Sequence, residues 1–386
     1  MAGNSVRGDG AVGGESSARA GDAAADRQVL VVGGGPTAVT AAGFLDRAGL
    51  DPVLAGSASE RMPAEVITLW RPGLVVLDRL GLRHPIERRG TRLDRLCRPA
   101  TGSAWATDPS DRPVLLSLRR DELAELLEQR VRTHVRTVDG SVTGVDPTDA
   151  GVVATFDRGV RESFDAVVTA DPTVAPASTF HTEATAVHAW AFEWRAAERP
   201  PSDAVEAWDG DRAAFVTPVG DGAYVHLVSV DRPTPAVDAD ALERRFGDLL
   251  EPLGDPFGAL DGRALRYRRS PRVVPESMCG GGVALAGPAG HASLPGDCLG
   301  PTLALEDAWV VADTLAYGPS NRNDALDVYD ARRRRRKREL RRHATADVDP
   351  DRVSTLLGRL YRARTLAFGH VTGRFPAVAR APPESL

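Results

Sequence analysis

Apolar and polar positions alternate with three different periods along this chain, and the changes of period mark its elements. Val29–Val32 is a short continuous apolar run, the pattern of a buried parallel strand. Ala38, Ala41, Ala42 and Leu45 then recur at helical spacing, and Pro52–Ala55 supplies a second strand. The segment 66–82 (VITLWRPGLVVLDRLGL) predicts a helix that stops at Gly81. Leu115–Val131 predicts a short strand and an amphipathic helix with Leu123, Leu126, Leu127 and Val131 on its inner face. Val135–Phe156 reads as short strands with turns at Asp139-Gly140 and Asp149–Gly151, and Phe164–Thr169 as another buried strand. From His188 to Val230 the pattern changes to alternating strands, with turns at Asp209-Gly210 and Asp221-Gly222. That stretch predicts an antiparallel sheet in a layer of its own. A helix at Asp238–Leu250, a strand at Val283–Ala286, a Gly/Pro-rich loop at Gly287–Gly300 and a helix at Thr302–Leu315 follow. Ala325–Leu386 reads as mainly helical, and no internal repeat is present.

Composition narrows the class. The chain has 386 residues, enough for more than one domain, with 42% hydrophobic and 26% charged residues. The net charge of −5 gives no electrostatic case for nucleic acid. No apolar run reaches the roughly 18 residues of a membrane span. Residues 1–27 are rich in Gly, Ala, Ser and Asp without an apolar core, which predicts a disordered tail rather than a secretory leader. Cys97, Cys279 and Cys298 form no CxxC pair, so neither zinc nor a disulfide framework is indicated, and the expected compartment is the cytoplasm.

The strand–glycine–helix unit carries the chemistry. Gly33-x-Gly35-x-x-Ala38 has the dinucleotide-binding spacing with its alanine variant, between a strand and a helix that opens at Pro36. Gly33 permits the turn, Gly35 lets a pyrophosphate reach the backbone, and Ala38 lets the helix approach the strand. The helix N-terminus offers N–H groups and the positive end of its dipole.

Taken in order, these segments resemble the group A flavoprotein monooxygenases, the para-hydroxybenzoate hydroxylase-like FAD enzymes, from about Val29 to Arg342. VVGGGPTAVTAAGFLDRAGL is similar to the family's ADP-binding unit, and VITLWRPGLVVLDRLGL to its segment along the flavin. Arg120 in LRRDEL stands where an arginine reaches the cofactor. FDAVVTADP, with Asp171, resembles the strand that normally ends in Asp-Gly. VALAGPAGHASLPGDCLGPTLALEDAWVVADTL is similar to the strand, loop and helix along the ribityl chain. There Pro295, Gly300, Glu306, Asp307 and Ala308 keep the spacing. VEAWDGDRAAFVTPVGDGAYVHL resembles the substrate-domain sheet.

The resemblance implies FAD, a transient NADPH or NADH reductant and a small-molecule substrate. It implies cofactor contacts at Gly33, Gly35, Pro36, Ala38, Arg120, Asp171, Gly287, Pro295 and Gly300. His291 is the candidate proton shuttle, with loop capping as its alternative role. Five departures surround the same ligand. The acidic residue at the second strand's end is Gly56, with Glu60 nearby. A glycine near the flavin is Val66, and Asp-Gly has become Asp171-Pro172. The Gly-Asp aspartate is Pro288, which has neither carboxylate nor N–H, and a further glycine is Cys298. They imply weakened, altered or abandoned FAD binding, with Asp297 offering a carboxylate near the lost one.

Other features have bland readings. Arg332–Arg342 reads as a solvated helix rather than a nucleic-acid or membrane surface. Trp190, Trp194 and Trp208 read as sheet core before substrate platform. Hydrolase and zinc-protease motifs are missing.

The expected fold is α/β: a Rossmann-like FAD-binding domain with an inserted antiparallel β-sheet substrate domain. The expected organisation is a tail at 1–27 and a cofactor domain at 28–180 with a substrate-domain excursion near 92–117. The substrate sheet follows at 181–270, the cofactor domain resumes at 271–330, and a C-terminal helical region fills 331–386. The expected activity is an NAD(P)H-dependent FAD monooxygenase. The alternatives are an inactive binding module on the same fold and a flavin-dependent isoprenoid or lipid reductase. Substrate and oligomeric state stay open.

Overall fold

A computed structural model describes residues 27–56, 66–98, 103–106, 115–131, 133–171, 173–175, 180, 182–195, 198–209, 211–230, 238–258, 260, 265–290, 296, 299–344 and 373–374. Its first layer starts with β1 (Gln28–Val32), α1 (Pro36–Arg47) and β2 (Asp51–Gly56). β3 (Val66–Trp70), α2 (Arg71–Arg79), α3 (Arg83–Arg89) and β4 (Thr91–Leu93) follow. Next come β5 (Arg95–Arg98), β6 (Ser103–Ala106), β7 (Leu115–Arg119) and α4 (Arg120–Val131). β8 (Arg136–Pro147), β9 (Val152–Phe156), β10 (Arg161–Phe164) and β11 (Ala166–Thr169) complete the N-terminal half. The second layer contains β12 (Thr182–Trp194), β13 (Ala204–Asp209), β14 (Arg212–Val219), β15 (Gly222–Val230), α5 (Ala239–Leu250) and β16 (Arg266–Pro275). The chain then returns through β17 (Cys279–Gly280), β18 (Val283–Leu285), α6 (Gly300–Tyr317), α7 (Arg322–Ala344) and β19 (Gly373–Arg374).

One eight-stranded sheet has the order β10-β9-β8-β2-β1-β11-β18-β17. Its centre, β8-β2-β1-β11-β18, is parallel, as the buried apolar run at Val29–Val32 requires. Val29 and Val31 face a core shared with α1, α2, α4 and α6. Leu30 and Val32 face Val142, Val145, Ala154 and Phe156 on the other side. β8 reaches both places because it bends. Its first half pairs with β2, and its second half pairs antiparallel with β9. The register skips Asp139 and Gly140, where Gly140 has φ +152°. The turn expected at Asp139-Gly140 is therefore a bulge inside one strand; a glycine at positive φ serves both motifs.

The second eight-stranded sheet has the order β16-β12-β15-β14-β13-β5-β6-β19, and β3-β7-β4 form a small third sheet. Within the 92–117 stretch, β5 and β6 join the second sheet, whereas β7 joins the small one. α5 closes one face of the second sheet, capped by the Asp238 carboxylate accepting from the Ala241 N–H at 2.8 Å. Trp190 and Trp194 sit in that core with Phe192 and Phe246, while Trp208 lies half-buried on the opposite face.

Three further boundaries differ from expectation. The helix expected within 66–82 begins at Arg71, because a β-branched and aromatic run (Val-Ile-Thr-Leu-Trp) at 66–70 pairs with β7 before Pro72 opens α2. α6 begins at Gly300, two residues before the expected Thr302, with Pro301 in its first turn. Gly373–Arg374, in a stretch expected to be helical, pairs parallel with β6.

Candidate functional site

The parallel strands end together. Backbone bonds tie Gly33 N–H to the Ala55 carbonyl, Ala170 N–H to Val32 and Ala286 N–H to Thr169, at 2.9–3.0 Å. Gly33, Gly56, Asp171 and Gly287 therefore lie along one edge of the sheet, beyond the strands' carboxyl ends. That edge is where open α/β sheets bind ligands.

The glycine turn has the geometry its sequence predicts. Gly33 has φ +137°, a region that favours glycine. Gly35 is the N-cap of α1 in extended conformation, and no side chain caps the helix. Pro36 opens it, no acidic residue occupies its first turn, and Ala38 and Ala42 are buried against the sheet. The first turn's N–H groups thus keep the partial positive charge an anion needs. Asp171 is buried, and its carboxylate accepts from the Thr173 N–H at 2.8 Å and hydroxyl at 2.7 Å. Arg120 opens α4 and is half-buried. Its neighbour Arg119, which the sequence reading passed over, bonds Glu193 on β12 at 2.8 Å. That hydrogen bond, ahead of the opposing effect of burial, raises the Arg119 pKa above its ordinary value.

Two glycines that follow β18 approach other elements closely. Gly287 has φ +55°, and a Cβ built there would lie 2.8 Å from Thr37 Oγ1 in the first turn of α1. Farther along, a Cβ on Gly296 would lie 2.7 Å from the Cβ of His226 on β15. Gly300 starts α6, whose Thr302 hydroxyl accepts the Trp70 N–H at 2.9 Å.

His226 belongs to the face of the second sheet that α5 leaves uncovered. Ala191, His226, Phe215 and Glu206 stand in register across four neighbouring strands of that face. Tyr224 and Thr217 form the adjacent pair, with the Tyr224 and His226 rings 4.9 Å apart. Glu206, Thr217, Tyr224 and His226 are all buried. The resemblance had pointed to the sheet but not to these residues. Their signal was polar side chains at the alternate positions of strands whose other positions are apolar.

His291 and Pro295 lie outside the described residues, as do Glu60, Pro172, Asp297 and Cys298. Of the departures that are described, Gly56 ends β2 with open space where a side chain would stand. Val66 is buried and packs with Ala191 and Tyr224. Pro288 is exposed within a single 3-10 turn, Gly287–Ala289.

The basic helix needs correction. Arg333 and Arg336 are buried, not solvated. Arg333 bonds Asp307 at 2.6 Å and Glu306 at 2.9 Å, and Arg336 bonds Glu306 at 2.9 Å. Burial lowers the Arg333 pKa, but Asp307 and Glu306 outweigh it and hold the guanidinium above its ordinary value. Part-exposed Arg332 pairs with Asp313, and exposed Arg334 pairs with the buried Asp330. A run of arginines looks solvated in sequence, yet two of them face the Glu306-Asp307 pair on α6.

No protein-family model matches the chain. Two kinds of curated relative do. A 3-amino-4-hydroxybenzoate 2-monooxygenase, PtnB3 of Streptomyces platensis, is 27% identical over 361 residues, covering 82% of this chain and 86% of the relative. An FAD-dependent urate hydroxylase of Klebsiella pneumoniae is 27% identical over 349 residues, covering 81% and 87%. The chain is a homologue of the FAD-dependent monooxygenases. Solved structures agree on the flavoprotein monooxygenase fold. Klebsiella pneumoniae HpxO complexed with FAD and uric acid superimposes with TM-score 0.70 at 22% identity, covering 89% of this chain and 93% of that one. A tetrameric 2-methyl-3-hydroxypyridine-5-carboxylic acid oxygenase gives TM-score 0.67 at 21% identity, covering 91% and 99%. At that identity the structures speak for the fold alone: a Rossmann-like domain with a second, largely antiparallel sheet. Among the described residues no helix is long and apolar enough to cross a membrane, and no His/Cys/Asp/Glu group could hold a metal.

An FAD fits the glycine turn of this flavoprotein fold. The α1 N-terminus has no side-chain cap and no acidic residue in its first turn, and Gly33 and Gly35 leave the backbone approachable. The fit is poorer at the edges, where Gly56 brings no carboxylate and Val66 adds a buried side chain.

Proposed function

We propose that this protein is an FAD-dependent monooxygenase that hydroxylates a small aromatic substrate, with NADH or NADPH as reductant. The observation that carries the proposal is the seat of Gly296 on His226. It brings one residue that follows β18, Gly296, against a sheet face lined with buried polar groups. Relatives acting on 3-amino-4-hydroxybenzoate and urate, both planar rings bearing polar groups, support the substrate class.

Bound FAD would supply the hydride and oxygen chemistry, which belongs to the cofactor. The chain's own residues bind, orient and exclude water. Gly33, Gly35 and the α1 N-terminus would hold the pyrophosphate, with Ala38 keeping the helix close. Gly287 and Gly300 would shape the segment beside the flavin, and Pro36, Arg120 and Asp171 would frame the edge. On the open sheet face, Ala191 and Phe215 give a flat apolar floor. Glu206, Thr217, Tyr224 and His226 give hydrogen-bonding groups at its sides. In a buried setting such groups orient a ring strongly, because leaving one unpaired costs roughly 1–3 kcal/mol. Residues 28–180, apart from β5 and β6, and the chain from 276 to 330 would form the cofactor part, and the sheet through 181–275 with β5 and β6 the substrate part.

A flavin titration tests the reading. Purified protein should bind FAD, quench its fluorescence and perturb its visible spectrum, with lower affinity than an FAD enzyme carrying an acid at the end of β2. NADH or NADPH oxidation should rise with 3-amino-4-hydroxybenzoate, urate or a related ring. No FAD binding at high micromolar concentration would sink the proposal. It would favour the second reading, a fold kept as an interaction module, which Val66 and Pro288 support.

A further inference from the structure

The Asp307 carboxylate is buried and faces two ways. One oxygen accepts the Gly287 N–H at 2.8 Å, and the other accepts Nε of Arg333 at 2.6 Å. Arg333 also donates Nη1 to Glu306 at 2.9 Å and Nη2 to the Leu303 carbonyl at 3.3 Å. Its planar fork is thus locked in one orientation. Gly287 in turn presses on Thr37 in the first turn of α1, and a Cβ on Gly287 would also come within 3.3 Å of Ala304. Tyr329, one turn before Arg333 on α7, donates to the Leu285 carbonyl at 2.7 Å. So α7 grips β18 just before the turn and, through Asp307, the turn itself.

We propose that Asp307 and Arg333 are positioning residues of the dinucleotide site. They hold the Gly287 turn against Thr37 and so set the shape of the phosphate-facing end of α1. The inference rests on the FAD reading for its ligand, but the positioning itself is a property of the ligand-free chain. Glu306 and Arg336 belong to the same buried cluster, yet Arg336 bonds Glu306 and not Asp307. That separation makes Arg336 the internal control. Replacing it removes a buried charge partner of Glu306 while leaving both hydrogen bonds of Asp307, to Gly287 and to Arg333, in place.

The test compares Asp307→Asn, Arg333→Lys and Arg336→Gln in the full chain. Two quantities are measured: amide hydrogen exchange of the Gly287–Gly290 turn without FAD, and FAD affinity by flavin fluorescence. An asparagine cannot accept from both Gly287 and Arg333, and a lysine cannot reproduce the fork. Both variants should speed exchange at the turn and raise the FAD Kd, each at least about tenfold. Arg336→Gln should lower thermal stability while leaving both readouts within about twofold. The proposal is overturned if Arg336→Gln weakens FAD binding as much as the other two. Unchanged exchange at Gly287 in the Asp307 variant overturns it as well. If Asp307→Asn does not fold, Arg333→Lys carries both arms. Wild-type protein that binds no FAD defeats the functional reading, and exchange at the turn still decides the positioning.

Discussion

The two faces of the second sheet are made by the same strands and differ in almost every other respect. Under α5, Trp190, Phe192, Trp194, Val225, Leu227 and Phe246 form a closed apolar core. The Trp190 and Phe246 rings meet at 5.9 Å and the Phe192 and Phe257 rings at 6.0 Å. One residue along each strand, the opposite face carries Glu206, Thr217, Tyr224 and His226 beside the apolar Val187, Ala189, Ala213, Phe215 and Val228. The polar groups are just as buried, with His226 against Gly296 and Tyr224 against Val66 of β3. A closed apolar face contributes stability through burial, roughly 25 cal/mol per Å². A buried polar face contributes little net stability and demands partners. The difference assigns the first face to folding and the second to recognition.

The largest test of that division is on the closed face. Trp190→Ala should cost about 3–5 kcal/mol, measured by denaturant unfolding, because it empties a large space beside Phe246 and Tyr267. FAD affinity of the folded fraction should be unchanged. A Trp190 variant that keeps its stability but loses ligand binding would reverse the assignment of the faces.

On the other face the expected effects invert. Gly296 has φ +85°, so Gly296→Val is strained by its backbone and collides with His226. The stability cost should be about 1–2 kcal/mol, the scale of one left-handed residue. Substrate-dependent NAD(P)H oxidation should fall far more, as the segment lifts from the sheet. Proportionate losses in both would mean the contact is only packing. A smaller change is Glu206→Gln, which keeps shape and removes charge. It should move the unfolding free energy by about 1 kcal/mol or less, while the substrate KM shifts by about tenfold, the worth of one charge-assisted hydrogen bond. An unaltered KM would take Glu206 out of the recognition set.

How much of this was legible in the sequence depends on the range of the interaction. The β1–Gly33–Gly35–α1 unit is local, and its strand, turn and helix follow from neighbouring residues. Asp238 as helix cap and the alternation of β12–β15 are local too. Asp139-Gly140 was legible as a backbone irregularity but not as a bulge, because turn and bulge share the same glycine chemistry and only β2 distinguishes them. The burial of Arg333 and Arg336 was not legible from their own segment, since their partners lie on another helix. Glu306 and Asp307 were visible as a pair, without a sign of what they hold. The meeting of Gly296 with His226 requires two domains to be placed together, and no pattern in either segment encodes it.

The smallest expected effect concerns Cys97, which lies in the closed-face core on β5. Burial, with Asp203 adding to it, pushes this thiol up to about 11 from an ordinary 9.0. The folded state therefore favours the neutral thiol. Below pH 9.0 the thiol is neutral in both folded and unfolded chains, and this contribution to stability is fully present. Above that pH the unfolded chain ionises first, so the contribution is lost progressively as pH rises through about 11. Two measurements follow. At pH 8 a water-soluble thiol reagent should leave Cys97 unlabelled, as read from its own peptide, while Trp190→Ala should admit the reagent. Cys97→Ser should flatten that part of the alkaline loss of stability. Rapid labelling of the parent protein at Cys97 would show that the face beneath α5 opens on the experimental timescale. The contrast between a closed, stabilising face and an open, recognising one would then fail where it was expected to be firmest.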